Sequence, residues 1–277
     1  MSVQVGAAIG ATIFPLVGPA GVVALRQAVA AVALIAVARP RVRELRWTSI
    51  RPAVALGLVL VVMNLTLYGA VERIGLGLAV TLEFLGPLAV ALLGSRRRLD
   101  LACAVIAGAG VVLLTGTVPG LDPLGILLGF TAAAAWAAYI LLSQRAGRTM
   151  PGIHGTAIAS VVAAILTSPL LVFALLGLEP GELVHVVAVG LAAGILSSAL
   201  PYSIDLLVLR RIPRQLFGVL QSVHPAAAAV AGLLVLGQTL GAWQVAGLVL
   251  ITAGNVVAVS RTAPIAAPPT RRRAAEA

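Results

Sequence analysis

The chain is a succession of apolar runs, most of them about 20 residues long, separated by short breaks rich in Gly, Pro or Arg. At 1.5 Å per residue a helix of that length crosses the roughly 30 Å hydrocarbon core of a bilayer. Ten segments are read in this way: 2 to 17, 21 to 38, 52 to 71, 75 to 94, 101 to 117, 123 to 142, 156 to 177, 185 to 209, 216 to 236 and 242 to 259. They are continuously apolar rather than alternating, which speaks for helices and against barrel strands. Composition points the same way. Of 277 residues 60% are hydrophobic and only 10% charged, with a mean hydropathy of +1.09, whereas about a quarter of a soluble domain is charged. The expected fold class is an all-α polytopic membrane protein with ten transmembrane helices.

The net charge of +10 comes from arginines clustered between apolar runs, so it sets topology and does not imply a nucleic-acid partner. Basic residues in short loops stay on the cytoplasmic side. With the N-terminus inside, the inner segments hold Arg39, Arg41, Arg43, Arg46 and Arg51, then Arg96 to Arg98, Arg145 and Arg148, Arg210, Arg211 and Arg214, and finally Arg261 and Arg271 to Arg273. Outer loops hold Arg73 together with the acids Glu72, Asp122, Glu179 and Glu182. Both termini are therefore expected in the cytoplasm. The proline-rich stretch 260–277 cannot build a core and is expected to be a disordered cytoplasmic tail. The single Cys103 excludes an internal disulfide and a multi-cysteine metal site. No basic region precedes the first apolar run, which argues against a cleaved signal peptide.

An internal repeat gives the chain its plan. A shift of 138 residues carries Arg73-Ile74 onto Arg211-Ile212 and Pro87 onto Pro225. The first of these loops is outside and the second inside, so the halves are inverted: 1–117 as one five-helix repeat, 118–259 as the other. Inverted repeats are common in secondary transporters, whose substrate sites lie near the midplane between the halves. The first segment has 16 residues, about 24 Å of helix and short for a span, and a start site placed too far downstream would account for it.

Polar side chains within apolar segments are the candidates for a substrate or proton pathway. Glu83 is the only acid near the middle of a segment; such a group is costly in the membrane and marks either function or interhelical bonding. Pro87, four residues on, frees the carbonyl of Glu83 by removing a donor, as Pro225 does for Gln221. His224 shares a helix face with Gln221 and reads either as a proton-exchanging group or as a neutral packed imidazole. Asn64 with Tyr68, and Trp136 with Tyr139, share helix faces and can supply hydrogen bonds and aromatic walls, while an interfacial anchor near a helix end is the better reading for Tyr139 than for Trp136. Tyr202 follows Pro201, while Asp205 is expected to pair with Arg210 or Arg211 near the inner surface. Arg26 lies near the outer end of the second segment, where it either binds an anionic group or snorkels to the surface. The spacings Gly6 to Gly10 and Gly190 to Gly194 are read as close helix packing. No nucleotide, dinucleotide, metal or Ser/His/Asp signature stands out, so neither an enzyme nor a cofactor is expected.

The stretches FPLVGPAGVVALR (14–26), TLEFLGPLAVALLGSRR (81–97), AWAAYILLSQRAG (135–147), ILSSALPYSIDLLVLRRIP (195–213) and GVLQSVHPAAAAVAGLLVLGQTL (218–240) resemble the EamA-type transporters of the drug/metabolite transporter superfamily, in particular their threonine/homoserine exporter branch. The resemblance implies a bacterial inner-membrane exporter of small amino acids or analogues, with proton coupling, and Glu83 and Arg26 match positions in its motifs. Two departures remove acids from the second half: His224-Pro225 stands for Glu-Pro, and Gly237-Gln238-Thr239 for Gly-Glu-Thr. Export of another metabolite or drug, or intramembrane chemistry on lipid-linked substrates, are the competing expectations.

Overall fold

The computed structural model describes residues 2–40, 47–92, 102, 105–106, 109–110, 122–212, 217, 221 and 223–260. Most of the fifth expected span at 101–117, the Arg96 to Arg98 cluster and most of the expected tail lie outside the described residues. Among those described, the secondary structure is helical: α1 (Ser2–Ala11), α2 (Phe14–Ala38), α3 (Trp47–Ile74), α4 (Leu76–Glu83), α5 (Leu85–Leu92), α6 (Pro123–Thr149), α7 (His154–Leu175), α8 (Pro180–Gly194), a π-helical turn (Ile195–Ala199), α9 (Leu200–Leu209), α10 (His224–Leu236) and α11 (Ala242–Ser260). The stretches Phe14–Ala38, Trp47–Ile74, Pro123–Thr149, His154–Leu175 and Pro180–Leu209 are long and apolar enough to cross a membrane. Large apolar side chains face outward, with Phe173 74% and Leu234 77% exposed, as expected where the surrounding solvent is hydrocarbon rather than water.

Several boundaries differ from the hydropathy reading, each for a local reason. The expected run 2 to 17 is divided: α1 ends at Ala11, and α2 begins at Phe14 with an interruption at Gly18, whose φ of 65° lies in the left-handed region. The expected run 75 to 94 breaks into α4 and α5 at Phe84. Pro87 has no N–H to offer the Glu83 carbonyl four residues earlier, whereas Leu88 still donates to Phe84. Pro123 and Pro180 instead open helices, the position a missing N–H suits. Asp122 caps α6 by accepting from the Leu124 N–H at 2.8 Å.

The short α1 packs against α8, the π-helical turn and α10, so residues from the chain's start lie among its second-half helices. Small residues make these crossings close. A Cβ at Gly6 would lie 2.9 Å from Ser197, one at Gly190 2.0 Å from Leu25 Cδ2, and one at Gly194 2.6 Å from Val29. Of the apolar clusters among the described residues, the two larger gather Ile13, Val22, Val71, Leu76, Val80 and Val186 in one and Leu56, Leu60, Phe84, Ile140, Leu209 and Phe217 in the other. Between them lies a cavity whose mostly apolar wall carries several polar side chains.

Candidate functional site

Three polar residues that line the cavity stand four residues before a proline: Glu83 before Pro87, Ser197 before Pro201 and Gln221 before Pro225. In a regular α-helix the carbonyl at each first position would accept from the N–H at the second, and proline has none. The consequence is visible at Ser197. Its carbonyl accepts from Arg26 Nη2 at 2.9 Å, and Ser198 Oγ accepts from the same nitrogen at 3.0 Å. The π-helical turn Ile195–Ala199, a distortion frequent at functional sites, presents both groups. Arg26 is thus held by α2 on one side and by the irregular stretch before α9 on the other.

The guanidinium of Arg26 also lies over the Tyr68 ring, 4.7 Å from its centroid, a cation–π contact. Only 3% of the residue is exposed, which excludes snorkelling to the surface. The expectation that Arg26 sits near a helix end is corrected with it, because α2 begins at Phe14 and places Arg26 in its middle. Its Nε and Nη1 are buried and have no partner among the described residues. Three of the five guanidinium N–H donors therefore remain available.

These groups face one cavity, lined by Val3, Gln4, Ala7, Arg26, Met63, Asn64, Leu67, Tyr68, Glu83, Trp136, Tyr139, Ser197, Pro201, Tyr202, Asp205, Gln221 and His224. About 50 Å³ of it is open to the centre of a water-sized sphere, several times the ~10–15 Å³ that one water needs. All eight candidates from the sequence, Glu83, His224, Arg26, Asn64, Tyr68, Gln221, Trp136 and Tyr202, are brought together on its walls. The carboxyl group of Glu83 comes from the last residue of α4, where the helix breaks. Asn64 on α3 donates from Nδ2 to Tyr202 Oη at 2.9 Å, which fixes α9 to α3 at this depth. The Trp136 ring lies 5.5 Å from the His224 ring, and Gln4 Nε2 donates to His224 Nδ1 at 3.3 Å.

Besides Ser197, three polar or aromatic wall residues were read otherwise in the sequence or passed over. Gln4, 3% exposed, reaches the site because α1 packs into the second half. Tyr139, expected at the membrane interface, is 2% exposed and faces the cavity. Asp205, expected to pair with Arg210 or Arg211, accepts instead from Tyr139 Oη at 3.1 Å, while Arg210 donates to the Gly152 carbonyl at 2.9 Å. Gln238, standing in place of a family acid, lies away from the cavity and bonds to the backbone of α4.

Residues 123–260 match the model of the EamA-like transporter family. The chain is also 41% identical over 269 residues to the threonine/homoserine exporter RhtA of Escherichia coli (strain K12), covering 94% of this chain and 86% of that protein. The chain belongs to the EamA-like transporter family. A second relative, the threonine/homoserine exporter RhtA of Salmonella typhimurium (strain SL1344), is 39% identical over 265 residues, covering 92% of this chain and 86% of the relative. A protein of known crystal structure shares the fold at 21% identity, with a TM-score of 0.62 over 94% of this chain and 95% of its own. The chain is a transporter rather than an enzyme, a multi-pass protein of the bacterial inner membrane. A cavity framed by broken helices suits a membrane-spanning chain, since irregular backbone is tolerated at membrane depth only where it is buried in protein or lines a cavity.

Proposed function

We propose that this transporter exports small zwitterionic amino acids of the threonine and homoserine kind, and that inward proton movement through Glu83 drives the export. The observation that carries the reading is Arg26: a permanently charged, buried side chain with three donors to spare, lining the same cavity as the carboxyl group of Glu83. An amino acid carries one group for each. Its carboxylate suits the guanidinium, whose charge-assisted hydrogen bonds are the strong kind. Its ammonium suits the Glu83 carboxylate, which away from water takes either a cation or a proton as partner. Exchange of one for the other at a single carboxyl group links the two movements. His224 and Gln221 add hydrogen-bonding groups opposite, and Trp136 adds an apolar wall. The names of the RhtA relatives support the same substrate class.

The architecture in this proposal is ten transmembrane helices in two inverted repeats, 1–117 and 118–259, with both termini and the tail 260–277 in the cytoplasm. The 138-residue shift supports it by carrying α2 onto the region of α7, and α3 onto that of α8 through α9. It also carries the break at Phe84 onto the start of α10, within two residues. Alternating access then rocks one repeat against the other around the cavity.

The test is efflux from proteoliposomes loaded with labelled threonine, homoserine, other amino acids or amphipathic drugs, with a proton gradient imposed inward. The expected result is gradient-dependent loss of threonine and homoserine. Efflux of drugs alone would transfer the same fold to another substrate class and defeat the amino-acid reading.

A further inference from the structure

Asp205 has no part in the exchange just proposed, yet its carboxylate lines the same cavity. It lies eight residues beyond Ser197, so about 12 Å farther along the helix at 1.5 Å per residue, on the cytoplasmic side under the orientation the arginines imply. Ser197, where Arg26 is held, and Asp205 thus mark two levels along one wall of the cavity.

The surroundings of Asp205 are those of a cation site. Tyr139 Oη donates to Oδ2 at 3.1 Å and fixes the carboxylate while leaving most of its lone-pair capacity unused. Tyr139 and Tyr202 place their rings 6.0 Å apart at 50° to one another, and Asn64 holds the hydroxyl of Tyr202 at 2.9 Å. The Tyr139 hydroxyl oxygen and the Asp205 carboxylate can both accept from the N–H groups of an ammonium. The neighbouring cation that would otherwise neutralise the acid, Arg210, is turned to the Gly152 carbonyl. Among the described residues no salt bridge engages Asp205.

We propose that Asp205, framed by Tyr139 and Tyr202, is an ammonium-binding subsite on the cytoplasmic side of the cavity, which captures the cationic end of the substrate before the substrate moves on to Arg26 and Glu83. This rests on the amino-acid reading of the cavity. It makes the primary ammonium, rather than the carboxylate, the feature selected at entry. Asp205 is then a specificity-determining residue distinct from the proton-carrying one.

The experiment compares the parent with Asp205→Asn and Asp205→Glu. The amide keeps the shape and can still accept from Tyr139, so loss of charge is isolated from loss of packing; a matching melting temperature in detergent verifies this. Efflux of threonine from proteoliposomes is measured against internal concentration. Asp205→Asn raises the internal KM about ten-fold or more, the range expected for a lost hydrogen bond to a charged group, with kcat within a few-fold of the parent, and Asp205→Glu restores most of it. In parallel, ethanolamine, which has the ammonium and lacks the carboxylate, is titrated calorimetrically into each purified protein, all of them carrying Glu83→Gln so that the other carboxyl group of the cavity does not bind it. It binds the parent and Asp205→Glu and fails to bind Asp205→Asn. An unchanged KM in a folded Asp205→Asn protein, a collapse of kcat at constant KM, or equal ethanolamine binding by parent and Asp205→Asn overturns the proposal. If the parent exports no amino acid, the functional reading fails, and the ethanolamine titration still decides whether Asp205 is an ammonium site.

Discussion

The side-chain oxygen of Gln238 accepts a hydrogen bond from the backbone N–H of Leu76 at 2.9 Å, so the loop after α10 caps the first residue of α4. Helix α4 has no capping side chain of its own, because Gly75 occupies the N-cap at a φ of 81°. The cap ties the helix that ends in Glu83 to the second half of the chain. Replacing Gln238 with Leu is expected to cost about 0.5–2 kcal/mol, the usual worth of such a cap. Gln238→Glu keeps the acceptor and adds a charge that a helix N-terminus favours, so it matches or exceeds the parent. Melting temperatures in detergent decide this, and a Gln238→Leu protein as stable as the parent would refute the capping role.

Gly86 marks the closest approach of α5 to α6. A Cβ there would lie 2.1 Å from the carbonyl oxygen of Ala133, a backbone atom that cannot rotate away. Gly86→Ala is expected to lose about 1–3 kcal/mol through overpacking. Gly181→Ala, where nothing lies within 4 Å of the added carbon, serves as the comparison and stays near the parent. Equal thermal stability of both variants and the parent would mean that the two helices are not packed as described.

Arg73 in the last turn of α3 forms an ion pair with Asp122, the cap of α6. The Arg73 hydrogen bond, followed by that from the Leu124 N–H, holds the Asp122 carboxyl below its ordinary value of 3.8. A depressed folded-state pKa contributes stability that is present above the unfolded value and lost as pH falls through the folded one. Asp122→Asn, which retains a capping oxygen, should therefore melt slightly below the parent at neutral pH. The difference should close as pH drops below 3.8, and a difference that persists there would assign the effect to shape rather than charge. The pair is solvent-exposed, so salt should diminish the effect.

Much of the site was legible in the sequence because burying a polar group in a membrane is costly enough to mark it. Glu83, His224, Asn64 and Gln221 stand out against apolar surroundings, and Pro87 and Pro225 indicate where backbone carbonyls are freed. The third such pair, Ser197 and Pro201, was passed over because serine hides easily among small residues, although it orients Arg26. Asp205 misled because Arg210 turns to the Gly152 carbonyl instead, and Tyr139 for a different reason. Counting residues from a helix end measures depth only if the helix ends where the apolar run ends, and α6 continues to Thr149, past the expected 142. Gln4 was invisible because its position depends on how α1 crosses α8 and α10, which hydropathy does not encode. The breaks after Ala11 and at Phe84 likewise fall inside single hydropathy runs.

The central claim is that one carboxyl group, Glu83, exchanges a proton for the substrate's ammonium beside a fixed Arg26. The most direct measurement is threonine efflux from proteoliposomes with and without an inward proton gradient, for the parent, Glu83→Gln and His224→Gln. Glutamine preserves the shape of Glu83 but has no proton to exchange. Glu83→Gln is expected to fold and insert normally and to lose gradient-driven efflux, by about 100-fold or more if the proton step is obligatory, the scale of a lost charged partner in a buried site. His224→Gln, which still offers hydrogen bonds, should retain a measurable gradient-driven rate. Equal gradient-driven rates for Glu83→Gln and the parent would contradict the account and leave Glu83 as a hydrogen-bonding link between helices.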